Sequence, residues 1–124
     1  MNGPLILVVD DQAGVRLLLR EVFRETGYRI ALAAHGQEAV VLASAELPSL
    51  ALVDVKMPVM DGFETLRALK GLDPSMPVLM MTAVGEGRIN ELLESGARDC
   101  ITKPFDVFAL RNLVQQVLQE EGRI

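Results

Sequence analysis

Tryptophan is absent from this chain, and one tyrosine and four phenylalanines are its whole aromatic complement. Aliphatic side chains must therefore fill the core, helped by six methionines whose flexible thioethers adapt to irregular gaps. A single cysteine, Cys100, rules out an intramolecular disulfide and suits a reducing cytosol. The only histidine, His35, stands before Gly36 at a turn and is read as a turn residue, not as a phosphotransfer or metal group. Basic residues are in deficit: 12 Lys and Arg face 17 Asp and Glu, for a net charge of −5. That argues against a generic nucleic-acid or anionic-membrane binder, which needs a basic face. Long apolar runs are missing too. The start, Met1-Asn2-Gly3-Pro4, has no positive region, and the apolar run after it, Leu5 to Val9, is too short for a signal peptide or a membrane span. A cytoplasmic protein that binds neither DNA nor membrane is expected.

What is present is a regular alternation. The 124 residues are half apolar, enough for one domain with one sizeable core. Strand-like runs cover Leu5 to Val9, Arg29 to Ala34, Leu50 to Asp54, Pro77 to Thr82 and Arg98 to Thr102. Helical patterns lie between them: Val15, Leu18, Leu19, Val22 and Phe23 up to Gly27; Gly36 to Glu46; Phe63 to Leu69, ended by Gly71 and Pro74; Ile89, Leu92 and Leu93 up to Gly96; and Asp106 to Glu120. Strands that are apolar without alternation are buried on both faces. Strand–helix alternation implies a parallel sheet with right-handed crossovers. The fold predicted is α/β: a doubly wound, flavodoxin-like, five-stranded parallel sheet of order 2-1-3-4-5, with the first and third strands flanking the switch point. One domain spanning residues 1–124 is expected, because only Gly122-Arg123-Ile124 remain after Glu121.

Polar residues close these apolar strands. Asp10 and Asp11 follow the first, Asp54 ends the third, Thr82 the fourth, and Lys103 follows the fifth. Open α/β sheets bind their ligands at such strand ends. Alone, Asp10-Asp11 reads as a solvated strand end with Asp11 capping the next helix; beside Asp54, Thr82 and Lys103 it reads as part of one site. Three close carboxylates repel by about 4 kcal/mol per pair at an effective dielectric of about 20. They need raised pKa values or a cation. An all-oxygen donor set favours Mg²⁺ held by few carboxylates together with a phosphate. One carboxylate can then attack phosphorus, giving an acyl phosphate. Lys103 adds a second cation, and the Thr82 hydroxyl can donate to a phosphoryl oxygen. Asp61-Gly62 is read as a turn and helix start, and Gly85-Glu86-Gly87 as a flexible turn, since no Gly-Lys-Ser/Thr follows.

In order along the chain stand Val8-Val9-Asp10-Asp11, then Asp54-Val55-Lys56-Met57-Pro58-Val59-Met60-Asp61-Gly62, then Thr82-Ala83, then Lys103-Pro104-Phe105. With these motifs the chain resembles the receiver domains of two-component response regulators from Leu5 to about Leu118. It is similar in particular to single-domain regulators of the sporulation phosphorelay type, through Asp11-Gln12-Ala13-Gly14-Val15-Arg16, Glu21-Val22-Phe23 and Gly27-Tyr28. The resemblance implies that Asp54 accepts a phosphoryl group from a phosphohistidine. It implies that Asp10 or Asp11, with Asp54 and the Lys56 backbone carbonyl, holds Mg²⁺ directly or through water. Lys103 would pair with the phosphoryl group, Thr82 would move to bond it, and Ala83 would leave room for it. The Lys103-Pro104 peptide is often cis in this family. Sensor histidine kinases and histidine phosphotransferases would dock over Gln12, Gly14, Val15 and Leu18 on one side and Pro104 and Phe105 on the other. No output domain is expected.

Two positions depart from the common pattern. Where receivers often carry Tyr or Phe, three residues before the Lys, this chain has Cys100. A thiol cannot swing a ring in and out, so aromatic-coupled switching is not expected; the alternative is a small buried residue without consequence. Lys56 either sits over the phosphoryl group and hinders water or is a solvated loop lysine. Three functions follow. The first is a phosphorelay intermediate, phosphorylated by a kinase and donating to a phosphotransferase. The second is a diffusible chemotaxis-type regulator whose phosphorylated state binds a target protein. The third, a phosphatase with an aspartyl nucleophile, fits least. Such enzymes carry Asp-x-Asp after the first strand, whereas Asp10 and Asp11 are adjacent.

Overall fold

The computed structural model describes residues 3–83 and 88–124. The turn expected at Gly85 to Gly87 lies outside the described residues. Five strands, β1 (Leu5–Val9), β2 (Arg29–Ala33), β3 (Leu50–Asp54), β4 (Val78–Ala83) and β5 (Asp99–Lys103), form one parallel sheet of order β2-β1-β3-β4-β5. Helices α1 (Ala13–Val22), α2 (Gly36–Ala45), α3 (Gly62–Leu72) and α4 (Ile89–Glu94) lie between successive strands, and α5 (Val107–Glu120) follows β5. This is the architecture expected from the alternation.

Side chains on successive strand residues point to opposite faces, and the core divides accordingly. Ile6, Val8, Leu50, Leu52, Leu79 and Met81 pack with Leu19 and Phe23 of the α1 segment and with Leu110, Val114 and Leu118 of α5. Leu7, Val9, Ala51, Val53, Val78 and Met80 pack with Ala39 and Ala43 of α2, Phe63, Leu66 and Leu69 of α3, and Leu92 of α4. The central strands β1 and β3 are buried along their whole length, as expected of strands covered on both sides. The outer strands β2 and β5 are only partly buried, because an edge strand has one sheet neighbour and thinner helical cover. Met57, Met76, Met80 and Met81 are buried, the filling role expected of an aromatic-poor core.

Local signals set the helix starts. Asp61 and Glu64 form a reciprocal capping box at the start of α3, so Asp61-Gly62 is the helix start the turn residues suggested. The His35 imidazole accepts from the Glu38 N–H at 3.2 Å and caps α2. Asp106 caps α5, accepting from the N–H groups of Phe108 at 2.8 Å and Ala109 at 3.2 Å. One expectation is corrected. Gly71 does not end α3, which runs through it to Leu72; the stop comes at Asp73, before Pro74, because the residue preceding a proline is pushed out of the helical region. The N-cap of α1 is Gln12, and Asp11 does not cap it; instead the Asp10 carboxylate accepts from the Gln12 N–H at 2.9 Å.

Candidate phosphoacceptor site

Parallel pairing in register carries Asp10 to Asp54. The last pair of β1 and β3 is Val9 with Val53, so the next residue on each strand is an aspartate. At the other side of the sheet Thr82 pairs with Thr102, and Ala83 with Lys103. The strand ends bring Asp10, Asp11 and Asp54 together: one carboxylate oxygen from each lies within 4.8 Å of the others. The Lys103 ammonium reaches in from β5, 2.7 Å from Asp10 Oδ2 and 3.4 Å from Asp54 Oδ1.

The three carboxylates are held differently. Asp10 is fully buried, and every polar group it has is engaged. Its N–H donates to the Ala33 carbonyl at 3.1 Å, and its carbonyl accepts from Arg16 Nη1 at 2.7 Å. Its Oδ1 accepts from the Gln12 N–H and its Oδ2 from Lys103. Asp54 is 7% exposed. Asp11 is exposed, and among the described residues nothing hydrogen-bonds its carboxylate.

Electrostatics follow from this placement. Burial raises the Asp54 carboxyl to about 6, the Asp10 charge adds to the rise, and Lys103 opposes it. One cation shared between two carboxylates leaves the more distant one undercompensated. Lys103 goes the other way: burial works to lower its pKa, but the hydrogen bond to Asp10 and the charges of Asp10 and Asp54 prevail and raise it. It therefore stays a cation. The donor set is all oxygen, net negative even with Lys103, and includes one uncommitted carboxylate. Those are the properties that suit a hard divalent ion such as Mg²⁺.

The loop after β3 is anchored tightly. Gly62 N–H donates to the Val55 carbonyl at 2.8 Å, and a Cβ at Gly62 would stand 2.4 Å from the Asp54 carbonyl oxygen. Only glycine lets α3 start this close to the strand that carries Asp54. Between these anchors, Met60 N–H donates to the Pro58 carbonyl at 2.8 Å, with Val59 between them at φ 67° and 92% exposed. That is a γ-turn of the rare, strained hand around a β-branched residue.

The remaining expected residues take these positions. Thr82 is buried at the end of β4, and its hydroxyl donates to the Ala83 carbonyl at 3.1 Å. Lys56 is exposed and lines a cleft of about 400 Å³ with Val55, Met57, Asp61 and Arg88. Gln12 and Gly14 are exposed, Leu18 is exposed, and Val15 is half-buried against the core. Across the site the Lys103–Pro104 peptide is cis, Pro104 is exposed and Phe105 half-buried. Cys100 is half-buried on β5; burial and the Asp99 charge push its thiol pKa up, so it stays protonated.

Arg16 and Arg88 were not anticipated. Arg16 stands between the apolar positions Val15 and Leu18 of α1, where periodicity says only that a residue faces outward. Arg88 stacks 4.2 Å over the Phe63 ring, a contact across elements that spacing along the chain does not encode.

A doubly wound parallel sheet with an acidic triplet, a lysine and a threonine at its carboxyl edge defines a class of signalling phosphoacceptor. The chain belongs to the response regulator receiver domain family, whose model matches residues 6–115. It is 45% identical over 119 residues to sporulation initiation phosphotransferase F of Bacillus subtilis, covering 95% of this chain and 96% of that protein. It is 38% identical to the probable transcriptional regulator ycf27 of Porphyra purpurea, but spans only 49% of that longer protein. A receiver domain protein from Methanospirillum hungatei superimposes with a TM-score of 0.92 at 29% identity, covering 98% of both chains. The chemotaxis protein CheY4 of Vibrio cholerae superimposes at 0.86 with 30% identity, covering 94% of this chain and 99% of that one. Among the described residues no helix is long and apolar enough to cross a membrane.

Proposed function

We propose that this chain takes a phosphoryl group from the phosphohistidine of a sensor histidine kinase onto Asp54 and passes it to a histidine phosphotransferase. It is then no enzyme on a separate substrate, but a phosphoacceptor that assists its own phosphoryl transfer. The observation that carries this reading is the meeting of Asp10, Asp11 and Asp54 within 4.8 Å, with Lys103 between two of them. The likeness to a sporulation phosphotransferase along nearly its whole length favours the relay.

The chemistry follows from the side chains. Asp54 is ionised at neutral pH, above its value of about 6, so an oxygen lone pair is ready. That oxygen attacks phosphorus; the new O–P bond forms as the P–N bond of the donor breaks, and the electron pair leaves on the imidazole nitrogen. Asp11, Asp54 and the Lys56 carbonyl would hold Mg²⁺, while Asp10, with both carboxylate oxygens engaged, would act through water. When bound, the ion offsets negative charge on the transferring phosphoryl oxygens. Lys103, 3.4 Å from Asp54, is placed to pair with an oxygen of the arriving group. Thr82 would exchange its bond to the Ala83 carbonyl for one to another oxygen. Onward transfer reverses the step: the O–P bond breaks as a phosphotransferase imidazole attacks. Gln12, Gly14, Val15 and Leu18, with Pro104 and Phe105 opposite, flank Asp54 as the docking surface; an apolar patch around a polar centre anchors a partner well.

The test is acid- and base-labile labelling from a phosphorylated histidine kinase domain. Label should require Mg²⁺, vanish in Asp54→Asn, and move to a histidine phosphotransferase when one is added. Label persisting in Asp54→Asn removes the central claim. Label on Asp54 that no phosphotransferase of the source organism can take would point instead to a diffusible regulator that binds a target protein.

A further inference from the structure

The geometry points to Arg16 as a positioning residue that aims the Asp11 carboxylate into the metal site, by holding the peptide between Asp10 and Asp11. The inference rests on the proposed Mg²⁺-dependent acceptor site.

Among the described residues, Asp11 is the one carboxylate of the triplet that no other group steadies. It is exposed, and among the described residues no group hydrogen-bonds its side chain. Its direction is therefore set by its own backbone. The plane of the Asp10–Asp11 peptide contains the Asp10 carbonyl and the Asp11 N–H and Cα, and it rotates as one unit. The Asp10 carbonyl lies past the last β1–β3 pair, at a buried residue, so it needs a partner from elsewhere. Arg16 supplies it. From the first turn of α1, six residues on, its Nη1 donates to that oxygen at 2.7 Å, a short charge-assisted bond. The Asp10 side chain is pinned separately by Gln12 and Lys103, so Arg16 is the group whose side chain fixes the peptide and through it Asp11.

Charge and position make opposite demands on this residue, which makes the idea testable. A guanidinium near three carboxylates repels an incoming cation, so if charge were its only effect, a neutral replacement would bind Mg²⁺ more tightly. If Arg16 positions Asp11, the neutral replacement binds more weakly. The experiment is calorimetric titration of the metal-free full chain with Mg²⁺, for wild type, Arg16→Met, Arg16→Gln and Arg16→Lys. Melting temperatures are measured in parallel with chelator and with saturating Mg²⁺.

The expected result is a severalfold rise in dissociation constant for both neutral variants and partial recovery in Arg16→Lys. The rise in melting temperature produced by Mg²⁺ should shrink in the neutral variants. A merely structural role would lower melting with and without the ion by the same amount. Two neutral variants are included so that one failing to fold leaves the other to decide, and Arg16→Lys decides if both fail. In that case, a Lys variant that binds more weakly than wild type supports positioning, and one of equal affinity overturns it. Neutral variants that bind as tightly as wild type, or more tightly, also overturn it. Wild type that binds no Mg²⁺ would instead remove the acceptor-site reading itself, a separate outcome.

Discussion

Replacing Val59 by glycine should stabilise the protein, although it deletes a whole side chain. Val59 has φ 67° at the centre of a γ-turn closed by the Met60 N–H and the Pro58 carbonyl. Strain of this kind at a non-glycine residue costs about 1–3 kcal/mol, and β-branching leaves little room for relief by rotation. The side chain returns almost nothing, because it is 92% exposed and buries no apolar area worth counting. Glycine relieves the strain but makes the unfolded chain more flexible, at a cost of about 0.4–1 kcal/mol. The net gain is about 1 kcal/mol. Unfolding entropy near 2.1 cal/mol/K per residue then implies a melting temperature about 4 °C higher for a chain of this length. Thermal and urea melts of wild type and Val59→Gly in chelator measure it. A variant that melts lower than wild type refutes the strain argument, and would mean that the valine makes contacts the fold does not reveal.

The other predictions concern the site and its frame. In chelator, Asp54→Asn should be more stable than wild type at pH 7.5 and no more stable near pH 4. The folded pKa of Asp54 is raised from 3.8 to about 6, so its contribution is most favourable below about 4 and is lost as pH rises through 6. That shift corresponds to roughly 3 kcal/mol, reduced to about 1–2 by solvent at the open rim; a pH-independent difference in denaturation free energy would contradict it. Gly36→Ala should cost about 1–3 kcal/mol by overpacking. The added Cβ would stand 2.4 Å from Thr65 Oγ1 and 2.8 Å from the Met60 thioether, and denaturant melts with unchanged stability would show that the α2–α3 seam gives way freely. Lys56→Asn should shorten the lifetime of the acyl phosphate, if the exposed ammonium beside the site hinders water. A half-life equal to or longer than that of wild type removes that role.

The sequence by itself determined the sheet, its order and the members of the acidic site. Strand and helix periods are local, and parallel strands joined by helices have few ways to connect. A polar residue closing each apolar run therefore arrives at the same edge. Asp10, Asp54 and Lys103 needed nothing more than this topology to meet. The tertiary structure alone decided how they are held. Whether Asp10 or Asp11 keeps a free carboxylate depends on which donors approach from other elements. Gln12 N–H, Lys103 and Arg16 all converge on Asp10, and Asp11 is left open. The strained turn at Val59 was equally invisible, because the anchors on either side of it force a dihedral angle that valine does not favour. Hydrogen-bond partners and strain depend on ångström-scale approaches between distant segments, and residue type and spacing do not carry that information.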